Sequence, residues 1–432
     1  MKEEAPRKLR QMDRLSLGLL GKTILVGMAA GFFVVSYRIA IGWGDRCLRR
    51  ILSCAQGHPL SMLLWFVCLI LLAIVVGRII MWEPMISGGG VSQVIDEAAG
   101  KIDQNWWKVL IGKIVGGFLA LFAGLSLGRG GPSMQMGAMA GKGISRLFQS
   151  EKEEEKVLFA CGAASGIAAT FHAPLTGVCY TLEKVYKKFS IPFLAVLLLS
   201  VLAADAIVCV MAGDALVLGF EIPYILPVNG YWMAPVLGIF LGVLANLYNW
   251  MVQKTTALYN RPAWMTTVRK LWIPFVLAGV LGFSMPEVLG GGQSLLDPLA
   301  GGELILRTAV ILFVVKLLYS VLSISSGVPG GIFFPVIVLG AMCGGIFALA
   351  GITYFGLPTD CVTYFVALGV AGYFSAVMKT PLTGVIMLLE MTGSCSQIFL
   401  LTVVSVVSYA VSEFMESHGV YDSMWDRLHR KK

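Results

Sequence analysis

Two stretches of this chain occur twice, in the same order and at almost the same separation. PSMQMGAMAG at 132–141 shares the spacing P-x4-GAM-x-G with PVIVLGAMCG at 335–344, an offset of 335 − 132 = 203. PLTGVCYTLE at 174–183 shares PLTGV-x3-LE with PLTGVIMLLE at 381–390, an offset of 381 − 174 = 207. Self-similarity of this kind fixes the architecture before any single motif does. The chain reads as a basic tail (1–16), a first repeat (17–212), a linker (213–229), a second repeat (230–415) and a C-terminal helix and tail (416–432). Lys184, Lys187 and Lys188 follow the first PLTGV helix, whereas MTGSCSQ with no basic residue follows the second. Basic residues mark the cytoplasmic side, so the two copies are expected to point in opposite directions.

Each repeat is a membrane domain. Of the 432 residues 57% are hydrophobic and only 13% charged, against about 25% charged in ordinary soluble domains. A soluble enzyme is excluded, and no catalytic residue is assigned. The net charge of +8 comes from 33 Lys and Arg against 25 Asp and Glu. Lys2, Arg7, Lys8, Arg10 and Arg14 precede the first apolar run, and Arg427, Arg430, Lys431 and Lys432 close the chain. Both termini are therefore expected in the cytoplasm, with the protein in the cell (inner) membrane. A nucleic-acid partner would need a basic patch on a folded polar surface, and the pattern offers none. The apolar run from Leu17 outlasts a signal-peptide core and reads as a retained span. Nine cysteines and four histidines are scattered without a metal-ligand spacing, so neither a metal nor a cofactor is expected.

Long apolar helices are expected near 17–42, 60–82, 107–126, 192–212, 232–253, 268–284, 305–323 and 397–414. Between them lie shorter pieces, at 90–99, 132–148, 157–171, 174–187, 331–350, 362–378 and 381–391. SEKEEEK at 150–156 reads as a solvated loop and Trp106-Trp107-Lys108 as an interfacial anchor. Short, glycine-interrupted helices at matching positions of two repeats point to a binding site at the membrane midplane. Three glycine loops open such helices: Ser87-Gly88-Gly89-Gly90, Gly128-Arg129-Gly130-Gly131-Pro132, and Ser326-Gly327-Val328-Pro329-Gly330-Gly331-Ile332-Phe333-Phe334-Pro335. A helix start leaves unpaired N–H groups and roughly +0.5 of a charge, which suits an anion. For any one such loop, close helix packing is the better explanation. Three together, two of them repeat-matched, favour the anion.

These loops resemble those of the CLC family of chloride channels and chloride/proton antiporters. GRGGPSMQ at 128–135 is similar to the family's GREGP segment, SGVPGGIFFP at 326–335 to its GxFxP segment, and SGGGVSQ at 87–93 stands where the family has GSGIPE. GAASGIAATFHAPLTG at 162–177 also follows the family pattern. The resemblance implies an all-α polytopic membrane protein of two inverted repeats with tilted and half-spanning helices, and a homodimer with one pore per subunit. It implies inorganic anions, chloride or similar, as the transported ligand, with Gly88, Gly89, Gly90, Gly128, Arg129, Gly130, Gly131, Gly331, Ile332 and Phe333 around the anion. Tyr421 falls where the family places a hydroxyl on it, and Lys113 matches an embedded lysine.

Two departures bear on mechanism. Gly130 stands where the family carries the gating Glu, and Lys184 stands where antiporters carry an inner Glu. Gly89 also replaces a coordinating serine, and Ser92 a proline. An ammonium with a pKa near 10.4 stays charged at neutral pH and repels a proton. The expectation is therefore a passive, proton-uncoupled anion channel, insensitive to a pH gradient. The alternative is an anion/proton antiporter that uses a different carboxylate, such as Glu183 or Glu83. Glu183 otherwise reads as a helix-end cap, a role that its repeat equivalent Glu390 supports.

Overall fold

The computed structural model describes residues 16–415 apart from 188, 215–217, 219–221, 223, 225, 263, 303 and 395–397. Sixteen α-helices and no strand are present among the described residues. The first half runs α1 (Leu17–Ala55), α2 (Pro59–Trp82), α3 (Val91–Ala98), α4 (Trp106–Phe122), α5 (Gly130–Leu147), α6 (Lys152–Phe171), α7 (Pro174–Tyr180) and α8 (Ile191–Ala212). The second runs α9 (Met233–Asn260), α10 (Thr267–Ser284), α11 (Leu296–Ala300), α12 (Leu306–Ser325), α13 (Phe333–Phe355), α14 (Cys361–Met378), α15 (Pro381–Thr392) and α16 (Ile398–Phe414). Among the described residues, eight helices are long and apolar enough to cross a membrane.

Two hairpins, α5–α6 and α13–α14, form the buried heart of the two halves. Small residues make that possible. A Cβ on Gly137 would collide with Gly162 O, one on Gly141 with Leu158 O, and one on Gly344 with Phe365 O. Backbone thus packs on backbone, the membrane alternative to a hydrophobic driving force between helices. The outer helices expose Leu63, Leu71 and Val75 of α2 and Val236, Ile239 and Val243 of α9, as a lipid-facing surface requires.

Two elements differ from the reading of the sequence. Helix α1 continues to Ala55 because Leu48 and Leu52 keep a buried stripe, while Arg49 and Asp45 pair at 2.9 Å on the exposed face. The run at 150–156 is no loop beyond its first residues: α6 starts at Lys152, with Glu153, Glu154 and Glu155 in its first turn, where carboxylates meet the positive end of the helix dipole. Residues 1–15 of the tail and the segment 416–432, Tyr421 included, lie outside the described residues. Ser16 is described, and its hydroxyl accepts from Leu19 N at 3.2 Å to cap α1.

The two halves are related by an approximate two-fold axis, and the hydrogen bonds show where it passes. Gly128 N donates to Gly331 O at 2.6 Å, and Gly331 N donates to Gly128 O at 2.7 Å, as an isolated antiparallel bridge. Glu183 binds the start of α15, and Glu390 binds the start of α7. Reciprocal exchanges of this kind arise when one copy is inverted onto the other.

Candidate functional site

The glycine loops cross at the axis. Gly88 N donates to Gly327 O at 3.1 Å, and Gly330 N donates to Gly88 O at 3.2 Å. Buried Lys113 reaches from α4 and donates to Ile86 O at 2.8 Å and Gly88 O at 2.7 Å. The amides of Gly88, Gly128 and Gly331 are therefore engaged in holding loop to loop, and these three glycines shape the crossing instead of offering their N–H groups to an anion.

A fourth loop, which the motif reading above passes over, completes the crossing. Lys316 of α12 donates to Val288 O at 2.8 Å and Gly290 O at 2.7 Å, and Gly290 N donates to Gly124 O at 3.0 Å. Gly290 and Gly292 have φ of 55° and 86°, matching Gly88 and Gly90 at 69° and 89°. Only glycine adopts such left-handed backbone without a steric cost. The signal was present: GGG-x-S at 88–92 recurs at 290–294, an offset of 202, and Lys316 stands 331 − 316 = 15 residues before Gly331, as Lys113 stands 128 − 113 = 15 before Gly128.

Helices α5 and α13 start side by side at this crossing. Their first intrahelical bonds are Ser133 N to Arg129 O and Val336 N to Ile332 O, both at 2.9 Å. The amides of Gly130 and Gly131, and of Phe333 and Phe334, come before any such bond, so they have no partner one turn back. Pro132 and Pro335 follow in both helices and lack a donor. Ile332 is the N-cap residue of α13 and Arg129 that of α5. The Arg129 guanidinium lies 5.6 Å from the Phe334 ring centroid, a cation–π distance. Gly131 packs against Gly89, whose carbonyl oxygen would be 2.5 Å from a Cβ at 131. Gly90 caps α3 and lies against Gln135.

Gly130 is walled by aromatic rings. A Cβ there would lie 2.9 Å from Phe171 Cζ and 3.0 Å from Phe333 Cβ. Phe333 in turn meets Tyr180 at 5.0 Å, Phe374 at 5.6 Å and Phe171 at 6.1 Å between centroids. The sequence reading gives Phe171, Tyr180 and Phe374 no place at the site, although the first two lie in quoted runs, since only folding brings α6, α7 and α14 onto α13.

The carboxylates lie one step away. Helix α7 continues as a π-helical stretch, Thr181–Tyr186, a local widening that is frequent at functional sites. Glu183 on this stretch accepts from Leu382 N at 3.1 Å, Thr383 N at 2.9 Å and Thr383 Oγ1 at 2.6 Å. Glu390 repeats the pattern on Leu175 N at 2.8 Å, Thr176 N at 2.7 Å and Thr176 Oγ1 at 2.6 Å. Lys184 beside Glu183 is buried. Glu83 caps a short turn, accepting from Met85 N at 3.2 Å.

At the α3–α5 end, Lys142 donates to Glu97, Asp103 and Gln104 O. Burial pushes the Glu97 carboxyl above the ordinary carboxylate range despite that ammonium. The Lys142 hydrogen bond holds the more exposed Asp103 below it.

The fold defines a class: an all-helical membrane protein of two inverted repeats whose broken helix starts meet at the centre. A family profile described as "Voltage gated chloride channel" matches residues 71–413, and the chain belongs to that family, the CLC proteins. It is 29% identical over 440 residues to the H(+)/Cl(-) exchange transporter ClcA of Klebsiella pneumoniae subsp. pneumoniae, covering 99% of this chain and 93% of the relative. Against the protein of the same name from Citrobacter koseri it is 28% identical over 438 residues, covering 99% and 92%. Among solved structures, a slow cyanobacterial Cl-/H+ antiporter superposes with a TM-score of 0.91 at 24% identity, covering 97% of this chain and 100% of that one. A CLC-type fluoride/proton antiporter gives 0.79 at 20% identity, covering 95% and 99%.

These findings overturn the passive, proton-uncoupled channel expected from the sequence. Relatives matched from end to end are named as exchange transporters. The premise was also incomplete in physical terms. It looked only at positions 130 and 184, whereas the fold places Glu183 on α15, Glu390 on α7 and, beside Phe171, His172 with Asp205.

Proposed function

We propose that this chain is a secondary active transporter that exchanges chloride-type inorganic anions for protons. The reading is carried by the end-to-end similarity to named exchange transporters. Geometry supplies the parts. The anion sits at the starts of α5 and α13, where the amides of Gly130, Gly131 and Phe333 precede the first intrahelical bond and Ile332 turns the chain into α13. Arg129, Gly89, Gly90 and Tyr421 complete its surroundings as the family resemblance assigns them. The transporter lacks the gating glutamate, because Gly130 occupies that position and Phe171 fills the space.

Glu183 carries the proton in place of the acid replaced by Lys184. Its two oxygens accept from three donors of α15, and a proton on either oxygen removes an acceptor from that helix start. Proton binding and the position of α15 are thereby linked. The two repeats, 17–212 and 230–415 joined by 213–229, lie in the cell membrane with both termini cytoplasmic. The protein is a homodimer in this reading, in keeping with the apolar faces left exposed by Leu202 and Val210 of α8 and by Phe399 and Val406 of α16.

The test is a reversal-potential measurement in planar bilayers under opposed chloride and pH gradients. Exchange predicts a potential displaced from the anion equilibrium value by the pH gradient. A potential that follows the anion gradient alone refutes the proposal.

A further inference from the structure

Helix α6 ends at His172, a non-glycine residue in the left-handed region with φ 51°. That conformation is strained for a residue with a side chain, and here it turns the imidazole toward α8. Nδ1 lies 2.9 Å from Asp205 Oδ1 and Nε2 lies 3.0 Å from Asp214 Oδ1. A neutral imidazole donates from one nitrogen only. With a carboxylate at both nitrogens, the two hydrogen bonds require one proton beyond the neutral ring and two carboxylates. The side chains of His172 and Asp205 are 9% and 19% exposed, that of Asp214 91%, so a largely buried pair meets solvent through one exposed carboxylate.

The second repeat holds the same device in a fixed state. Lys379 ends α14 with φ 61° and stands 379 − 172 = 207 residues after His172, the offset of the PLTGV motifs. Its Nζ lies 3.0 Å from Glu413 of α16, as His172 meets Asp205 of α8. A lysine ammonium keeps its proton across the physiological range, whereas imidazole is the side chain that changes charge between about pH 5 and 8. One repeat thus sets a lysine against this carboxylate where the other sets a histidine. The titratable copy is joined by a single peptide bond to Phe171, the ring that fills the space at Gly130.

We propose that His172, with Asp205 and Asp214, is the proton-binding group that serves the α5 helix start in place of a carboxylate at position 130. It rests on the exchange reading above. A proton arriving at Asp214 passes to Nε2 while the Nδ1 proton passes to Asp205, so the ring relays one proton with no net change of charge. The groups facing the ring are Asp205 and Cys209 of α8, all three within 4.8 Å of one another, and Asp214 beyond α8. From α15, Glu390 lies within electrostatic reach of Asp205. Helix α1 packs on α8 through Gly27 and Gly31, and the charged residue of α1 nearest to Gly31 along the sequence is Arg38.

The experiment compares wild type, His172→Lys and His172→Asn in proteoliposomes, measuring anion efflux and proton uptake separately. His172→Lys copies the pair present in the second repeat and so preserves the fold. The expected result is anion efflux within about twofold of wild type and proton uptake reduced at least tenfold, a stoichiometry change that a merely structural role does not produce. Asp205→Asn, which keeps a hydrogen bond to the ring, is expected to behave likewise, so a variant that fails to fold does not end the test. Proton uptake at the wild-type ratio in any variant that retains anion efflux overturns the assignment of His172. A wild type that moves no protons refutes the exchange reading itself, and this inference with it.

Discussion

Glu183 and Glu390 are structural twins, and replacing each by glutamine separates their roles. In Glu183, Oε2 accepts from both Thr383 N and Thr383 Oγ1 while Oε1 accepts from Leu382 N at 3.1 Å. A glutamine oxygen can keep the two Thr383 bonds, which turns its NH2 group against the Leu382 amide. One donor is left unsatisfied at about 1–3 kcal/mol, and the negative charge at the start of α15 is lost at about 0.3–1 kcal/mol. Glu390 makes the same three contacts on α7, so both variants are expected to lose a similar amount, about 1.5–4 kcal/mol in all. Thermal melts in detergent should drop comparably for the two. Transport should not. Glu183→Gln is expected to lose coupled proton movement while anion flux continues, and Glu390→Gln to retain coupling. If Glu183→Gln keeps the wild-type proton-to-anion ratio, the carboxylate is only a cap and the role given to it is refuted.

Gly130→Ala places a methyl 2.9 Å from the Phe171 ring; overpacking of about 1–3 kcal/mol should slow anion flux, and the double variant with Phe171→Ala should recover it in the same efflux assay. Gly344→Ala drives Cβ into the Phe365 carbonyl, and is expected to abolish the monodisperse peak in size-exclusion chromatography. Lys316→Met strips two carbonyls of their donor and should lower the melting temperature about as much as Lys113→Met, since both lysines grip a loop in the same way. The Asp103 carboxyl is held below its ordinary value by Lys142, so its contribution to stability is complete above about pH 5 and disappears as pH falls below about 4. The melting difference between wild type and Asp103→Asn should therefore be constant from about pH 5 to 7 and vanish under stronger acid.

The repeat offsets, the half-spanning helices and three of the four glycine loops are legible in the sequence because each leaves a local mark, a glycine run or a proline at a helix start. Lys113 was found by its distance from Gly128; Lys316 has the same distance from Gly331 and was missed because the glycine run it grips, 290–292, leads only into a single turn and the five-residue α11. Phe171, Tyr180 and Phe374 carry no local sign at all, since an aromatic residue in an apolar helix reads as core until a distant helix start comes to rest on it. The reciprocal caps join residues about 200 positions apart, beyond any window of hydropathy. The channel expectation went astray for a related reason. It counted acids at two aligned positions, and proton chemistry depends on which titratable groups end up adjacent, as His172 and Asp205 do.

The bridge between Gly128 and Gly331 is a two-residue fragment of β-ladder inside an otherwise helical protein. It acts as a rivet driven through both halves at their common centre. A displacement of one helix tip is handed directly to the other, and rocking the halves as independent rigid bodies would break both of these hydrogen bonds. An exchanger built this way would trade access between the two membrane faces by movements smaller than a repeat: a ring swinging aside, a carboxylate letting go, a short helix sliding against its cap.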